Sequence, residues 1–154
     1  MNILFRTNVE QPYQDVAAGF TRELFEKLSP KTPPVVLKRF DGCKQGDEVH
    51  IEMVLPILNR KEEWISRIVK AGEIVGHDTF TDEWYFIDEG IKLPFFLTYW
   101  RHTHRVLRAE GGAGAVIIDD IEYRTPWYLL PIVYLVLSGQ FAARQPIYRE
   151  VFKK

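Results

Sequence analysis

The sequence predicts an α+β protein in which a β-meander packs against one long C-terminal helix. Two observations carry this. Apolar residues alternate through most of the stretch from Val35 to Thr125, and they recur with helical spacing from Pro12 to Leu28 and again from Trp127 to Phe152. Glycine and proline stand where the period changes. The 154 residues are about one domain's worth, enough to remove roughly 68–70% of the unfolded surface from water, and residues 1–154 are read as one domain. With 46% apolar residues, four Trp, seven Tyr and ten Phe, the composition excludes disorder.

Ile3, Phe5 and Val9 share a face and predict a short opening strand. Val16, Phe20, Leu24 and Leu28 then recur every four residues, with Phe25 widening the stripe, as one amphipathic helical layer. Gly19 in mid-pattern leaves open whether this is one helix or two, and Pro30, Pro33 and Pro34 end it. Val35 to Phe40 reads as a strand, and Asp41-Gly42 with Gly46-Asp47 as turns before the alternation of Val49, Ile51, Met53 and Leu55. Glu63 to Lys70 suits the next strand, turned by Ala71-Gly72-Glu73, and no element is assigned from Ile74 to Glu83. Trp84 to Asp88 is a further strand closed by Glu89-Gly90.

The strongest strand signal runs from Phe95 to Arg108, with Phe96, Trp100 and Val106 on one face and Leu97, Tyr99 and Leu107 on the other. Gly111, Gly112 and Gly114 separate it from Ala115 to Thr125, whose Ile117, Ile121 and Tyr123 share a face, so the two form a hairpin. Pro126 breaks the strand. Leu130, Val133, Leu137, Phe141, Tyr148 and Phe152 then mark a long helix, kinked or broken near Pro146.

Several function classes fall away. Twenty Lys and Arg against 21 Asp and Glu give a formal charge of −1, with no basic surface for nucleic acid. The lone Cys43 cannot form an intrachain disulfide and fits a reducing, cytoplasmic location; with four scattered His it makes no zinc-finger spacing. The start of the chain lacks the pattern of a signal peptide. The uncharged run PWYLLPIVYLVL falls short of the roughly 20 residues that cross a bilayer, so it is read as helix against sheet, with an interfacial membrane contact as the alternative and no stable membrane insertion. The number of copies in solution stays open.

Chemistry concentrates on the hairpin. His102 and His104 have the parity of Phe96, Trp100 and Val106. Pairing Arg108 with Ala115 sets Val106 opposite Ile117, His104 opposite Asp119, His102 opposite Ile121 and Trp100 opposite Tyr123. An imidazole then sits beside a carboxylate on an otherwise apolar wall, where an unpaired charge is costly. The pair reads as a satisfied core hydrogen bond, as a polar handle on an apolar ligand, or as an acid/base couple. A mononuclear metal on His102, His104 and Asp119 is geometrically conceivable, but no metal or cofactor is expected. There is no G-x-S-x-G, and EGGAGA joins two strands without the Lys-Ser/Thr of a phosphate loop. Trp64, Trp84, Trp100 and Trp127 suit either core or the wall of a cavity between sheet and helix. Arg144 could reach Asp120, Glu122 or a ligand carboxylate.

The order of elements, together with W-R-H-T-H-R-V at 100–106, G-G at 111–112, D-D-I-E-Y at 119–123, T-P at 125–126 and F-A-A-R at 141–144, resembles the ligand-binding SRPBCC proteins, the START and birch-pollen-allergen-like superfamily. W-I-S-R-I at 64–68 and F-I-D-E at 86–89 are similar to it as well. The resemblance implies a helix-grip fold, a curved antiparallel sheet wrapped around the C-terminal helix and a mostly apolar cavity. Its members include lipid and hormone carriers, polyketide aromatases and cyclases, and ring-hydroxylating oxygenase subunits, so fold does not settle function. The expected function is binding of a small hydrophobic molecule between sheet and helix, with Trp64, Phe96, Trp100, His102, His104, Asp119, Tyr123, Leu137 and Phe141 as ligand contacts. The alternative is a polyketide cyclase- or hydrolase-like enzyme using His104 and Asp119 for proton transfer. Pro146, and residues 74–83 as an extended connection at the cavity mouth, depart from the family pattern.

Overall fold

The computed structural model describes residues 1–55, 58–76 and 82–154. Among them seven strands form one antiparallel, curved sheet: β1 (Asn2–Val9), β2 (Val35–Phe40), β3 (Glu48–Leu55), β4 (Arg60–Ile74), β5 (Glu83–Lys92), β6 (Tyr99–Arg108) and β7 (Ala115–Arg124). The order across the sheet is β1-β7-β6-β5-β4-β3-β2, so every strand from β2 onward pairs with its successor and β1 crosses over to β7. Helices α1 (Tyr13–Ala18) and α2 (Arg22–Leu28) join β1 to β2, and α3 (Leu130–Val151) follows a 3₁₀ turn at Trp127–Leu129.

The early helical stripe is two helices. The break falls at Gly19, where a Cβ would lie 2.5 Å from the Phe152 ring, so the end of α3 can seat only against glycine. Phe20 stands between the helices and is buried. The backbone N–H groups of Glu10 and Gln11 donate to the Phe152 carbonyl and tie the end of α3 to the end of β1.

Three boundaries differ from expectation. Ala71, Gly72 and Glu73 do not turn the chain; they extend β4 opposite Phe86, Tyr85 and Trp84. The expected 74–83 connection lies partly outside the described residues, because 77–81 are not among them. β5 runs past Glu89-Gly90 to Lys92, with Gly90 paired to Ser66 at a shift of register. β6 begins at Tyr99, because the Leu97 N–H donates to the Pro94 carbonyl and folds residues 94–97 into a turn. Phe96 is therefore off the strand, and Leu97 is buried with Trp100 instead of facing away from it.

The β6–β7 hairpin has the expected register, from Arg108 opposite Ala115 to Tyr99 opposite Arg124. Gly111, Gly112 and Gly114 supply its turn with positive φ. Helix α3 continues through Pro146, which corrects the expected break. A proline inside a helix costs about 3 kcal/mol, but the buried Phe141, Tyr148 and Phe152 pin the helix on both sides of it. The inner face of the sheet carries two apolar clusters. One surrounds Val16, Phe20, Phe86, Val106, Tyr148 and Phe152; the other surrounds Trp64, Trp100, Tyr123, Leu137 and Phe141.

Candidate functional site

Strand alternation brings Asp88, His102, His104 and Asp119 onto the inner face between these clusters. Asp88 lies opposite His102 on β5 and β6, and His104 opposite Asp119 on β6 and β7. Asp119 Oδ1 accepts from both His102 Nε2 and His104 Nδ1 at 2.9 Å. His102 Nδ1 stands 3.2 Å from Asp88 Oδ1, and Trp100 Nε1 donates to Asp88 Oδ2 at 3.2 Å. A continuous chain of hydrogen bonds thus runs Trp100, Asp88, His102, Asp119, His104.

All four titratable groups are buried, and their environments push the two imidazoles in opposite directions. Burial disfavours the His102 cation, but hydrogen bonds and charge from Asp119 and Asp88 outweigh it and hold His102 up at about 9. His102 is therefore an imidazolium donating from both nitrogens. His104 is lowered: burial dominates, the pull of Asp119 does not compensate, and the His102 and Arg144 charges add to the lowering. It is neutral with its proton on Nδ1, and its Nε2 is buried without a partner. That edge lies among rings, with Phe20 centred 4.3 Å and a stacked Phe86 4.9 Å away. Burial works against the Asp119 carboxylate, yet the two histidines hold it well below the usual range. Burial also raises the Tyr148 hydroxyl far above normal, helped by the nearby Asp119 charge. His102, His104 and Asp119 offer one ligand atom each, all within 4.8 Å of one another, and are the described residues that could hold a metal ion.

Between the network and α3 lies a cavity of about 110 Å³. Trp64 and Trp100 meet edge to face at 4.5 Å on its sheet side, and Leu137, Phe141 and Arg144 close it from the helix. Ser29, Pro30 and Val35 line this cavity and also an outer cleft of about 860 Å³ between α2, the connection to β2 and the end of α3. These three residues form the wall shared by the inner space and the outer cleft.

No protein-family model matches this chain, and no curated protein matches it. Solved structures do match over nearly its whole length. Protein Ms6760 from Mycobacterium smegmatis superposes with a TM-score of 0.65 at 13% identity, covering 99% of this chain and 90% of that one. Truncated norcoclaurine synthase from Thalictrum flavum gives 0.60 at 16%, covering 96% and 89%. The Zhui aromatase/cyclase from Streptomyces sp. R1128 gives 0.58 at 13%, covering 96% and 90%. The chain shares the helix-grip fold of these solved structures, a curved antiparallel sheet with a long C-terminal helix.

Within this helix-grip frame the residues singled out from sequence divide into two groups. Trp64, Trp100, His102, Leu137 and Phe141 line the cavity. His104 and Asp119 stand behind its wall, Tyr123 lies in the adjoining core, and Phe96 packs on that core from the 94–97 turn. Arg144 does not reach across to Asp120 or Glu122, which alternate with Asp119 onto the outer face; its guanidinium lies 4.1 Å over the Phe141 ring at the cavity wall.

Asp88 and Cys43 are among the wall residues that escaped the sequence reading. Asp88 shares parity with Trp84 and Phe86, a visible signal, but its role depends on the β5–β6 register. Cys43, placed by sequence in a polar turn, is on the wall, its Sγ 3.7 Å from the Phe20 carbonyl. Burial, with the charges of Asp47 and Asp88, pushes its thiol up to about 12, so it is a poor nucleophile.

Proposed function

We propose that residues 1–154 act as one unit, in a reducing, cytoplasmic setting, that binds a small hydrophobic molecule between the sheet and α3. The observation that carries this is the ring-lined cavity, which shares Ser29, Pro30 and Val35 with the larger outer cleft. At about 110 Å³ the inner space is smaller than the roughly 150 Å³ engineered cavity that takes benzene. It suits one compact apolar group, a chain end or the edge of a ring, with the rest of the molecule lying toward the outer cleft. His102, Asp88 and Arg144 give that group a polar edge to meet.

Calorimetric titration with toluene and with hexylbenzene tests this reading. Hexylbenzene is expected to bind with its chain end in the inner space and toluene only weakly, because the inner space is too small to enclose a whole substituted ring and each methylene buried adds about 0.8 kcal/mol. Val35→Trp, which enlarges a side chain on the shared wall, is expected to weaken hexylbenzene binding by about tenfold or more. Failure of both probes to bind sinks the proposal.

A second reading is favoured by one observation, the charged His102 on the cavity wall. Two structural neighbours are named as a synthase and an aromatase/cyclase. In that reading His102, and not the His104 expected from sequence, leaves Asp88 to donate its Nδ1 proton to a bound carbonyl, the Asp88 carboxylate so freed takes the proton from the adjacent carbon, and Asp119 holds the ring through Nε2. Deuterium uptake from D₂O into the carbon next to the carbonyl of phenylacetone, lost in His102→Gln while hexylbenzene still binds, is the expected signature.

A further inference from the structure

The 3₁₀ turn and the first half of α3 present an apolar face that no other described residue covers. Val133, Leu137 and Phe141 are buried against the sheet, whereas Trp127, Tyr128, Ile132, Tyr134, Leu135 and Val136 are 43% to 84% exposed. A helix apolar on both faces is a buried helix, so the outer face calls for a cover. These six side chains offer on the order of 800 Å² of surface, beyond the roughly 300–600 Å² of the largest patch on a typical monomer. It is also close to the roughly 800 Å² that each partner buries in a standard interface.

We propose that this face is where two copies of the chain associate, α3 against α3 about a two-fold axis. Three features select a second copy. No charged residue occurs from Thr125 to Ala143, so the patch can meet itself without like charges facing each other. Ile132, Val136, Gly139 and Ala143 follow one another at spacings of four, three and four, which makes a continuous seam along the helix. The seam ends in small residues: a Cβ at Gly139 would meet nothing within 4 Å, and Ala143 is exposed, so a second helix can come to the close end of the usual 8–10 Å spacing. A helix that lies on lipid carries Lys or Arg on its polar face, and this stretch has neither. The association is independent of the cavity, whose lining lies on the opposite side of α3.

Sedimentation equilibrium across the micromolar range tests it, read together with circular dichroism. The expected mass is near twice the 18.1 kDa of the chain. Leu135→Glu and, separately, Ile132→Glu change exposed positions, so the fold is expected to hold. Each is expected to lower dimer affinity on the order of 100-fold or more, since the two-fold axis sets two buried carboxylates close together. A chain that stays monomeric throughout overturns the proposal, as does a dimer that survives both substitutions. Co-sedimentation of a monomer with phosphatidylcholine vesicles, abolished by Leu135→Glu, also overturns it, because lipid then covers the face.

Discussion

Two histidines two residues apart on one strand, bonded to the same carboxylate oxygen, belong to different regions of the molecule. His104 lies in the closed region, where Phe20 and Phe86 pack on it and no solvent or second carboxylate reaches its free edge. His102 lies in the open region, on the cavity wall, between Asp119 and Asp88. Burial penalises both cations. One extra carboxylate is enough to reverse the outcome, holding His102 charged while His104 stays neutral. The difference teaches that charge here follows the count of acceptors around a ring, and that the fold keeps its charged imidazole where a ligand can meet it.

Removing the charged member breaks the comparison most sharply. His102→Leu strips Asp119 of a donor and takes from Asp119 and Asp88 the imidazolium they share. The expected loss is about 3–5 kcal/mol, read from urea unfolding. Next in size is the response to pH. Folded His102 holds its proton to about 9 while the unfolded chain releases it near 6.5. Its contribution is therefore fully present below pH 6.5 and is lost as pH rises toward 9, on the order of 3 kcal/mol in all. His104 has the opposite sign. Its folded value is lowered, so the unfolded chain takes up a proton that the folded chain refuses, and stability falls as pH drops below 6.5. Unfolding midpoints measured against pH are expected to peak near 6.5. Asp88→Asn is expected to flatten the alkaline side of that peak and leave the acid side in place.

Much of this pairing was legible in the sequence, for a local reason. The glycine turn and strict parity fix the β6–β7 register, so His104 beside Asp119 follows from counting. Asp88 was not legible, because its partner strand is reached through residues 93–98. Their aromatic run reads as strand, and only the bond from Leu97 to Pro94 shows the turn. Gly72 was misread for a related reason: glycine next to charge reads as a turn, but here it sits within the ladder opposite Tyr85. Which histidine meets the cavity depends on Phe20, brought over His104 by the break between α1 and α2, and no periodicity along β6 carries that information. Helix α3 was foreseen from its spacing, but the break expected near Pro146 is absent, because packing on both sides of the proline holds the helix together. Its exposed face was not foreseen, because a run apolar on all sides does not say which side lacks a partner.

The smallest effect is the one that most directly weighs the two regions. His104→Leu removes one of the two imidazole donors to Asp119 but leaves His102 in place as its counter-ion. Leucine has nearly the volume of the imidazole and suits a space between Phe20 and Phe86, and it removes the unpartnered Nε2 from that apolar setting. The lost hydrogen bond and the relieved nitrogen partly offset each other, so the expected destabilisation is about 1 kcal/mol. In this variant the acid side of the pH profile should flatten while the alkaline side persists, the mirror image of Asp88→Asn. Should His104→Leu instead cost as much as His102→Leu, the two histidines share the Asp119 charge equally, and the contrast between a closed and an open region does not govern the site.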